Sequence, residues 1–85
     1  MSFNLIYTKR AVKDVRKLEE KTKKRIGRAL LRFFEDPFAF AEKLTESKIG
    51  SYRFRIGDYR AIFDLDGNNI VVLRIGHRRD IYKKS

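Results

Sequence analysis

Residues 52–60 read Tyr-Arg-Phe-Arg-Ile-Gly-Asp-Tyr-Arg, and this stretch decides the fold. Apolar Phe54 and Ile56 alternate with Arg53 and Arg55, which is the two-residue period of a strand with one apolar and one basic face. The Gly-Asp dipeptide that follows is typical of a two-residue hairpin turn. The stretch therefore predicts a β-hairpin.

The predicted turn also fixes the register of the hairpin. It pairs Ile56 with Tyr59 and places Arg55 directly opposite Arg60, with Arg53 on the same face. Directly opposed like charges destabilise a sheet by roughly 0.2–1 kcal/mol per pair. Such a face is either a solvated surface with incidental arginines or an anion site. Because a guanidinium group can bind two phosphate oxygens at once, the arginines favour the anion site.

The whole chain is strongly basic. Its 85 residues include 21 Lys and Arg against 11 Asp and Glu, a formal net charge of +10. A field of this sign attracts polyanions such as nucleic acid or an acidic protein partner. Between residues 52 and 82 the cations are arginines, whereas the lysines cluster in the first half and at the end. A solvated helix face remains an alternative for the lysine-rich half.

Length and composition limit the classes of protein. A chain of this size forms one domain, here residues 1–85, around one core. The absence of cysteine excludes disulfides, thiolate metal sites and a cysteine nucleophile. No apolar run approaches the roughly 20 residues of a membrane-spanning helix, and no signal peptide is evident, so a cytoplasmic protein is expected. A single histidine and the lack of a P-loop or GxGxxG motif predict neither a metal nor a cofactor.

The remaining sequence predicts the other elements. Alternation over residues 3–7 indicates a strand, and Thr8 is a suitable N-cap for the helix that follows. Apolar residues at helical spacing over 12–34, with a weak break near the middle, indicate a helical hairpin or one kinked helix that ends before Pro37. After the β-hairpin, residues 70–75 indicate a further strand. The predicted class is α+β, an antiparallel sheet of about four strands packed on an N-terminal helical hairpin, in the order β-α-α-β-β-β.

The tail adds further groups that can act on RNA. His77, Arg78 and Tyr82 follow the last predicted strand and are expected to rim the arginine face. Metal-independent RNA cleavage, in which a 2′-hydroxyl attacks the adjacent phosphate, needs groups that orient the backbone, neutralise charge and move protons. Arginine serves the first two tasks but stays protonated, so the proton falls to His77, Tyr82, a carboxylate or the surroundings of the RNA.

Two runs resemble one known superfamily. GSYRFRIGDYRAIF (residues 50–63) and VLRIGHRRDIY (residues 72–82) look like the RelE/ParE toxins of prokaryotic toxin–antitoxin systems, and the predicted element order agrees over the whole chain. Resemblance to the RelE branch implies an endonuclease that cuts mRNA in the ribosomal A site. It also implies an antitoxin, part of which wraps the toxin.

The resemblance implies specific site residues. Arg53 and Arg55 match two basic strand residues that are lysines in the best-known relatives, so their part in proton transfer differs here, since arginine hardly relays a proton. Arg60 matches the phosphate-binding arginine after the turn tyrosine, and Arg78 the C-terminal catalytic arginine.

The C-terminal residues depart from the pattern of the superfamily in two ways. Tyr82 matches the C-terminal tyrosine of RelE-type enzymes, but at a shorter spacing. His77 takes the place of another basic residue, and some relatives use a C-terminal histidine as acid or base. Either residue therefore stays a candidate for proton transfer.

The sequence thus leads to one hypothesis with alternatives. The hypothesis is a ribosome-dependent endoribonuclease toxin that binds mRNA, grips ribosomal RNA through its helices and is neutralised by an acidic antitoxin. One alternative is a ParE-like toxin that inhibits DNA gyrase by protein contact and cleaves nothing. Another is a degenerate domain that only binds nucleic acid or its antitoxin.

Overall fold

The computed structural model describes residues 3–45 and 49–82. Its elements, in chain order, are β1 (Asn4–Tyr7), α1 (Lys9–Arg16), α2 (Glu20–Glu35), α3 (Pro37–Phe40), β2 (Glu42–Lys43), β3 (Tyr52–Ile56), β4 (Tyr59–Asp66), β5 (Asn69–His77) and α4 (Arg78–Ile81). The ends of the predicted domain, residues 1–2 and 83–85, and residues 46–48 lie outside this description. Among the described helices, none is long and apolar enough to cross a bilayer.

The five strands form one sheet in the order β1-β5-β4-β3-β2. The predicted α+β class and element order are confirmed, but the sheet has five strands rather than about four, and one pair is parallel. β1 runs parallel to β5, whereas the other neighbours are antiparallel. Parallel neighbours need a long connection between them, and the helices and the other strands supply it. The strand that the sequence did not predict is β2, whose two residues are too few to show a strand period.

The hairpin of β3 and β4 has the predicted register. Ile56 pairs with Tyr59, and Arg55 lies directly opposite Arg60. Gly57 has a φ of +59°, which glycine adopts without a steric cost. Arg53, Arg55 and Arg60 therefore share one face of the sheet, which we call the basic face.

The opposite face of the sheet packs against the helices. Phe54 and Phe63 stack with ring centroids 4.2 Å apart, and Phe33 of α2 lies 4.8 Å from Phe54. Thr8 caps α1 as predicted, since its Oγ1 accepts a hydrogen bond from the Ala11 N–H at 3.1 Å. The apolar side chains of both helices thus bury one side of the sheet and leave the basic face to the chain's last residues.

Helix α1 covers the part of β5 that β1 does not pair. The Asp14 carboxylate accepts hydrogen bonds from the Ile75 N–H at 3.0 Å and from Arg74 Nε at 2.7 Å. An uncovered strand edge would leave such N–H groups open to pairing with another chain. A β-bulge interrupts the register near Ile62 and Phe63. The bulge pairs Arg74 with Ile62, which itself pairs with Arg53, so Arg74 starts from the same face as the basic-face arginines. Its guanidinium group is bound by Asp14 of α1 and does not join them.

Candidate functional site

Four side chains meet on the basic face, and we call them the Glu42 cluster: Glu42, Arg53, Arg55 and Tyr82. Arg53 Nε donates to Glu42 Oε1 at 2.8 Å, and Arg53 Nη1 donates to the Tyr82 hydroxyl at 2.7 Å. Arg55 Nη1 lies 3.7 Å from Glu42 Oε2. A carboxylate thus occupies the position between two guanidinium groups where the sequence predicts an anion.

Strand β2 delivers the carboxylate to this position. Glu42 pairs with Arg53 across the β2–β3 ladder, so the two side chains project from the same face. The neighbouring Lys43 pairs with Tyr52 and projects from the other face. Two paired residues are therefore enough to aim Glu42 at the arginines.

The charges in the cluster reinforce one another. The hydrogen bond from Arg53 holds the pKa of Glu42 below its ordinary value, and the charges of Arg53, Arg55 and Arg60 add to this effect. Hydrogen bonds to Tyr82 and then to Glu42 raise the pKa of Arg53. Three arginines thus act on one carboxylate, which is ionised at neutral pH, and Arg53 stays cationic.

Helix α4 folds back over the basic face and brings Tyr82 to it. Ile81 is buried and lies against Gly76, where a Cβ would come within 3.3 Å of the Ile81 Cδ1 atom. The small residue at 76 therefore lets α4 pack closely on β5. Tyr82, at the end of this helix, is 42% exposed, and the Arg53 guanidinium carbon lies 5.9 Å from its ring centroid.

Arg60 belongs to the basic face but is only 6% exposed. It lies opposite Gly76, which α4 covers, and its Nη1 donates to the carbonyls of Gly57 and Tyr59 at 2.8 Å each. Its Nε is buried without a hydrogen-bond partner among the described residues. The predicted phosphate-binding arginine is thus turned toward its own hairpin turn, and reaches Glu42 through its charge only.

Arg78 lies at the end of the hairpin rather than in the Glu42 cluster. Its backbone N–H donates to the Asp58 carbonyl at 2.7 Å, and its Nε lies 3.5 Å from Asp58 Oδ1. The side chain is about half exposed. Arg78 and Arg60 therefore approach the same turn from two elements.

His77 lies on the helix side of the sheet. It pairs with Tyr59, and the two rings meet edge to face with centroids 5.4 Å apart. Its Nδ1 accepts the Arg79 N–H at 3.1 Å and so caps α4. Of the six predicted site residues, the structure brings Arg53, Arg55 and Tyr82 together, keeps Arg60 beneath α4 and Arg78 at its border, and separates His77 from them.

The sequence reasoning missed Glu42. No strand was predicted between the helices and β3, so the position of Glu42 beside Arg53 was not expected. The available signal was an acidic residue shortly before the arginine-bearing strand of a chain with a net charge of +10, where a carboxylate on the basic face would lower the repulsion between arginines.

Known proteins share this fold. The model of the family "ParE toxin of type II toxin-antitoxin system, parDE" matches residues 5–82. Toxin RelG of Mycobacterium tuberculosis is 29% identical over 91 residues, which cover 99% of this chain and 100% of RelG.

Solved structures agree with the family match. The toxin–antitoxin complex RelBE2 of M. tuberculosis contains a chain with a TM-score of 0.82 and 22% identity, over 92% of this chain and 100% of that chain. A chain of the chromosomal ParDE system of P. aeruginosa has a TM-score of 0.72 and 17% identity, over 89% of this chain and 96% of that chain. Since the family model spans nearly the whole sequence, the chain belongs to the ParE toxin family and is a toxin of a RelE/ParE-type toxin–antitoxin system.

Proposed function

We propose that this toxin is a metal-independent, ribosome-dependent endoribonuclease that cleaves mRNA in the A site. The observation that carries the proposal is the Glu42 cluster, in which two guanidinium groups, a carboxylate and a phenol meet within hydrogen-bond or ion-pair distance. These are the three kinds of group that the reaction requires: a charge neutraliser, a proton acceptor and a proton donor.

Arg53 and Arg55 hold the scissile phosphate in this proposal. Both already act on one oxyanion, the Glu42 carboxylate, at 2.8 and 3.7 Å. A phosphodiester bound between them would take part of the coordination that Glu42 now has. The guanidinium charges would then stabilise the extra negative charge that develops on the phosphate oxygens in the transition state.

Glu42 and Tyr82 move the protons. The 2′-hydroxyl gives its proton to the Glu42 carboxylate as the 2′-oxygen–phosphorus bond forms. The bond from phosphorus to the 5′-oxygen breaks, and that oxygen takes the proton of the Tyr82 phenol. The products are a 2′,3′-cyclic phosphate and a 5′-hydroxyl end. Glu42 can accept the first proton because it is ionised at neutral pH, and Tyr82 can supply the second because its oxygen accepts from Arg53 and leaves its own proton to donate.

Arg60 and Arg78 play supporting parts. Arg60 braces the turn between β3 and β4 and lowers the pKa of Glu42 through its charge. Arg78, half exposed at the end of the hairpin, stabilises the leaving group once the substrate has drawn its side chain from Asp58. His77 takes no direct part, because its ring lies on the helix side against Tyr59.

The partners follow from the two surfaces of the toxin. The basic face and its cluster face the mRNA on the ribosome. An antitoxin occupies the apolar groove of about 320 Å³ beside α1 and α2, which is lined by exposed or half-buried side chains such as Tyr7, Val12 and Leu18. The RelBE2 structure of M. tuberculosis is itself a toxin–antitoxin complex. An acidic, partly disordered segment would suit the net charge of +10.

A translation extract tests the cleavage reaction. Purified toxin is added, and the ends of the mRNA are mapped for the wild type, Arg53→Ala, Glu42→Gln and Lys43→Ala. We expect Arg53→Ala and Glu42→Gln each to lower the cleavage rate by about 100-fold or more. Lys43→Ala removes one positive charge, as Arg53→Ala does, but from the other face of the β2–β3 ladder. It therefore serves as the matched control, and its cleavage rate should stay within about twofold of the wild type. Undiminished cleavage in an Arg53→Ala, Glu42→Gln double variant would contradict the assignment.

One observation favours the alternative, a toxin that inhibits DNA gyrase by contact. Arg53 and Arg55 already have an internal carboxylate partner and Arg60 is buried, so the basic face is less open to RNA than its sequence suggests. The two functions separate in a supercoiling assay with the purified toxin. Inhibition of gyrase together with intact mRNA in the extract would decide for the alternative.

A further inference from the structure

A second basic surface lies between α2 and the β3–β4 hairpin, and we call it the basic groove. Its volume is about 680 Å³, and its cationic lining consists of Lys21, Lys24, Arg25, Arg28, Arg32 and Arg55. We propose that the basic groove binds the phosphate backbone of a single RNA strand that continues from the Glu42 cluster. The proposal extends the endoribonuclease function proposed above, but it can be tested without cleavage.

Of the six cations in the basic groove, only Arg55 has a carboxylate partner among the described residues. Six cations line it, and no Asp or Glu is among its described lining residues. The five cations on α2 form no ion pair with any described residue, whereas α2 does hold the pair of Lys23 and Glu20 at 3.3 Å outside the groove. Lys24 and Arg28 are four residues apart on the helix, as are Arg28 and Arg32, so each pair repels by a few tenths of a kcal/mol. A polyanion in the groove would remove this repulsion.

The shape of the groove suits an extended strand. Lys21 and Arg32 lie eleven residues apart on α2, so the row of cations is roughly 16 Å long. The Arg25 guanidinium packs on Gly57 so closely that a Cβ there would overlap it. This contact joins the helix to the hairpin turn. The cations are therefore arranged as a line, which matches the repeating phosphates of a nucleic-acid strand.

The floor of the groove argues for a nucleic acid over a protein segment. Ala29, Phe33 and Ile56 form it, and they are 8%, 5% and 5% exposed. A protein segment gains most of its affinity from apolar anchors, and these buried side chains offer little surface for one. A phosphate backbone needs only the cations, since its affinity comes largely from the release of counterions. The apolar groove beside α1 offers the anchors that this groove lacks.

Arg55 connects the basic groove to the Glu42 cluster. It lines the groove, and its Nη1 also lies 3.7 Å from Glu42 Oε2. A strand whose phosphate lies between Arg53 and Arg55 can therefore continue along α2 without leaving the positive surface. Four of the six groove cations are arginines, and a single guanidinium group can bind two oxygens of one phosphate.

Fluorescence anisotropy with a labelled 12-nucleotide 2′-O-methyl RNA tests the proposal. This RNA lacks the attacking hydroxyl, so binding is measured in the absence of cleavage. The proteins are the full chain as wild type, the groove variant Arg28→Ala with Arg32→Ala, and the control variant Arg10→Ala with Lys13→Ala. The control removes the same two charges from exposed positions on α1, away from the groove.

We expect the groove variant to bind roughly tenfold or more weakly than the wild type at 0.1 M salt, and the slope of log K against log salt to fall by about 1.4, or 0.7 per lost phosphate contact. The control variant should change both quantities much less. Equal losses of RNA affinity in the groove variant and the control variant would show that the RNA is held by general charge attraction, and this would overturn the proposal.

A 12-residue poly-glutamate peptide separates RNA from an acidic protein partner. If the groove variant loses affinity for the peptide but keeps its affinity for the RNA, the groove is a protein site and the proposal is wrong. If the wild-type toxin binds the RNA but leaves mRNA uncut in the translation extract, the endoribonuclease function is contradicted. The proposal that the groove binds RNA is then still supported.

Discussion

Glu42 is the residue on which the charges of the basic face converge. Because the hydrogen bond from Arg53 is the largest cause of its lowered pKa, Arg53→Ala should raise that pKa toward the ordinary value near 4.5. Arg55→Ala should raise it less, since Arg55 acts through charge alone. The titration of the Glu42 side-chain carboxyl carbon by NMR measures both changes. An unchanged midpoint in Arg53→Ala would show that the hydrogen bond does not persist in solution.

The sign of the pH effect follows from the direction of this pKa. A carboxyl whose pKa is lower in the folded state stabilises that state above the unfolded pKa, and the stabilisation is lost as the pH falls through the folded pKa. The contribution of Glu42 to the free energy of unfolding should therefore be full at neutral pH, begin to fall near pH 4.5 and vanish below the lowered pKa of the folded state. Its half-exposed position keeps this contribution small.

Arg60 should behave as a structural residue when it is substituted. Arg60→Ala leaves the carbonyls of Gly57 and Tyr59 without a donor beneath α4, so we expect the free energy of unfolding to fall by about 1–3 kcal/mol. Chemical denaturation measures this change. Arg55→Ala, in the directly opposed and exposed position, is the matched control and should stay within about 0.5 kcal/mol. Equal stabilities for the two variants would mean that Arg60 is free to meet a ligand.

These residues mark the limit of prediction at the residue scale. The two-residue period of the strand correctly placed Arg53, Arg55 and Arg60 on one face, because alternation is a local property of the backbone. The burial of Arg60 depends on α4 folding over Gly76, a contact between distant parts of the chain. Local pattern carries no information on that contact.

At the scale of elements, two glycines should respond oppositely to the same substitution. Gly27 lies within α2 with nothing within 4 Å of an added Cβ, so Gly27→Ala should stabilise the protein by about 0.5–1 kcal/mol. A Cβ at Gly50 would lie 2.7 Å from Ile62 and 2.8 Å from Leu73, so Gly50→Ala should destabilise it by about 1–3 kcal/mol. Thermal unfolding of both variants measures the difference. A Gly50→Ala variant as stable as Gly27→Ala would show that the loop before β3 yields readily.

The elements themselves were predicted where the local signals were strong. Thr8 caps α1, Pro37 follows the end of α2, and the turn at Gly57 sets the hairpin, each through backbone chemistry confined to a few residues. The weak break in the helical stripe became a true division between α1 and α2. β2 could not be predicted, because its two residues are a strand only by pairing with β3.

At the scale of the whole molecule, β1 shows what a sequence pattern leaves open. Alternation predicted a strand near residues 3–7, but the same pattern fits a parallel or an antiparallel neighbour. The parallel choice follows from the path of the chain, since α1 must leave β1 and cover the exposed part of β5. Only the complete arrangement of layers determines that path.

The net charge of +10 should make the stability of the toxin depend on salt. The Debye length falls from about 30 Å at 0.01 M to about 8 Å at 0.15 M, so repulsion across a domain of this size is screened over that range. We therefore expect the melting temperature to rise with sodium chloride. A Lys9→Gln variant loses the repulsion between Lys9 and Lys13, and it also removes a cation from the first turn of α1, where a positive charge opposes the helix dipole. It should be more stable by roughly 0.5–1 kcal/mol at low salt and gain less from added salt. A melting temperature that falls as salt is added would mean that ion pairs such as Arg74 with Asp14 outweigh the repulsion, and that the basic surfaces cost the folded chain little.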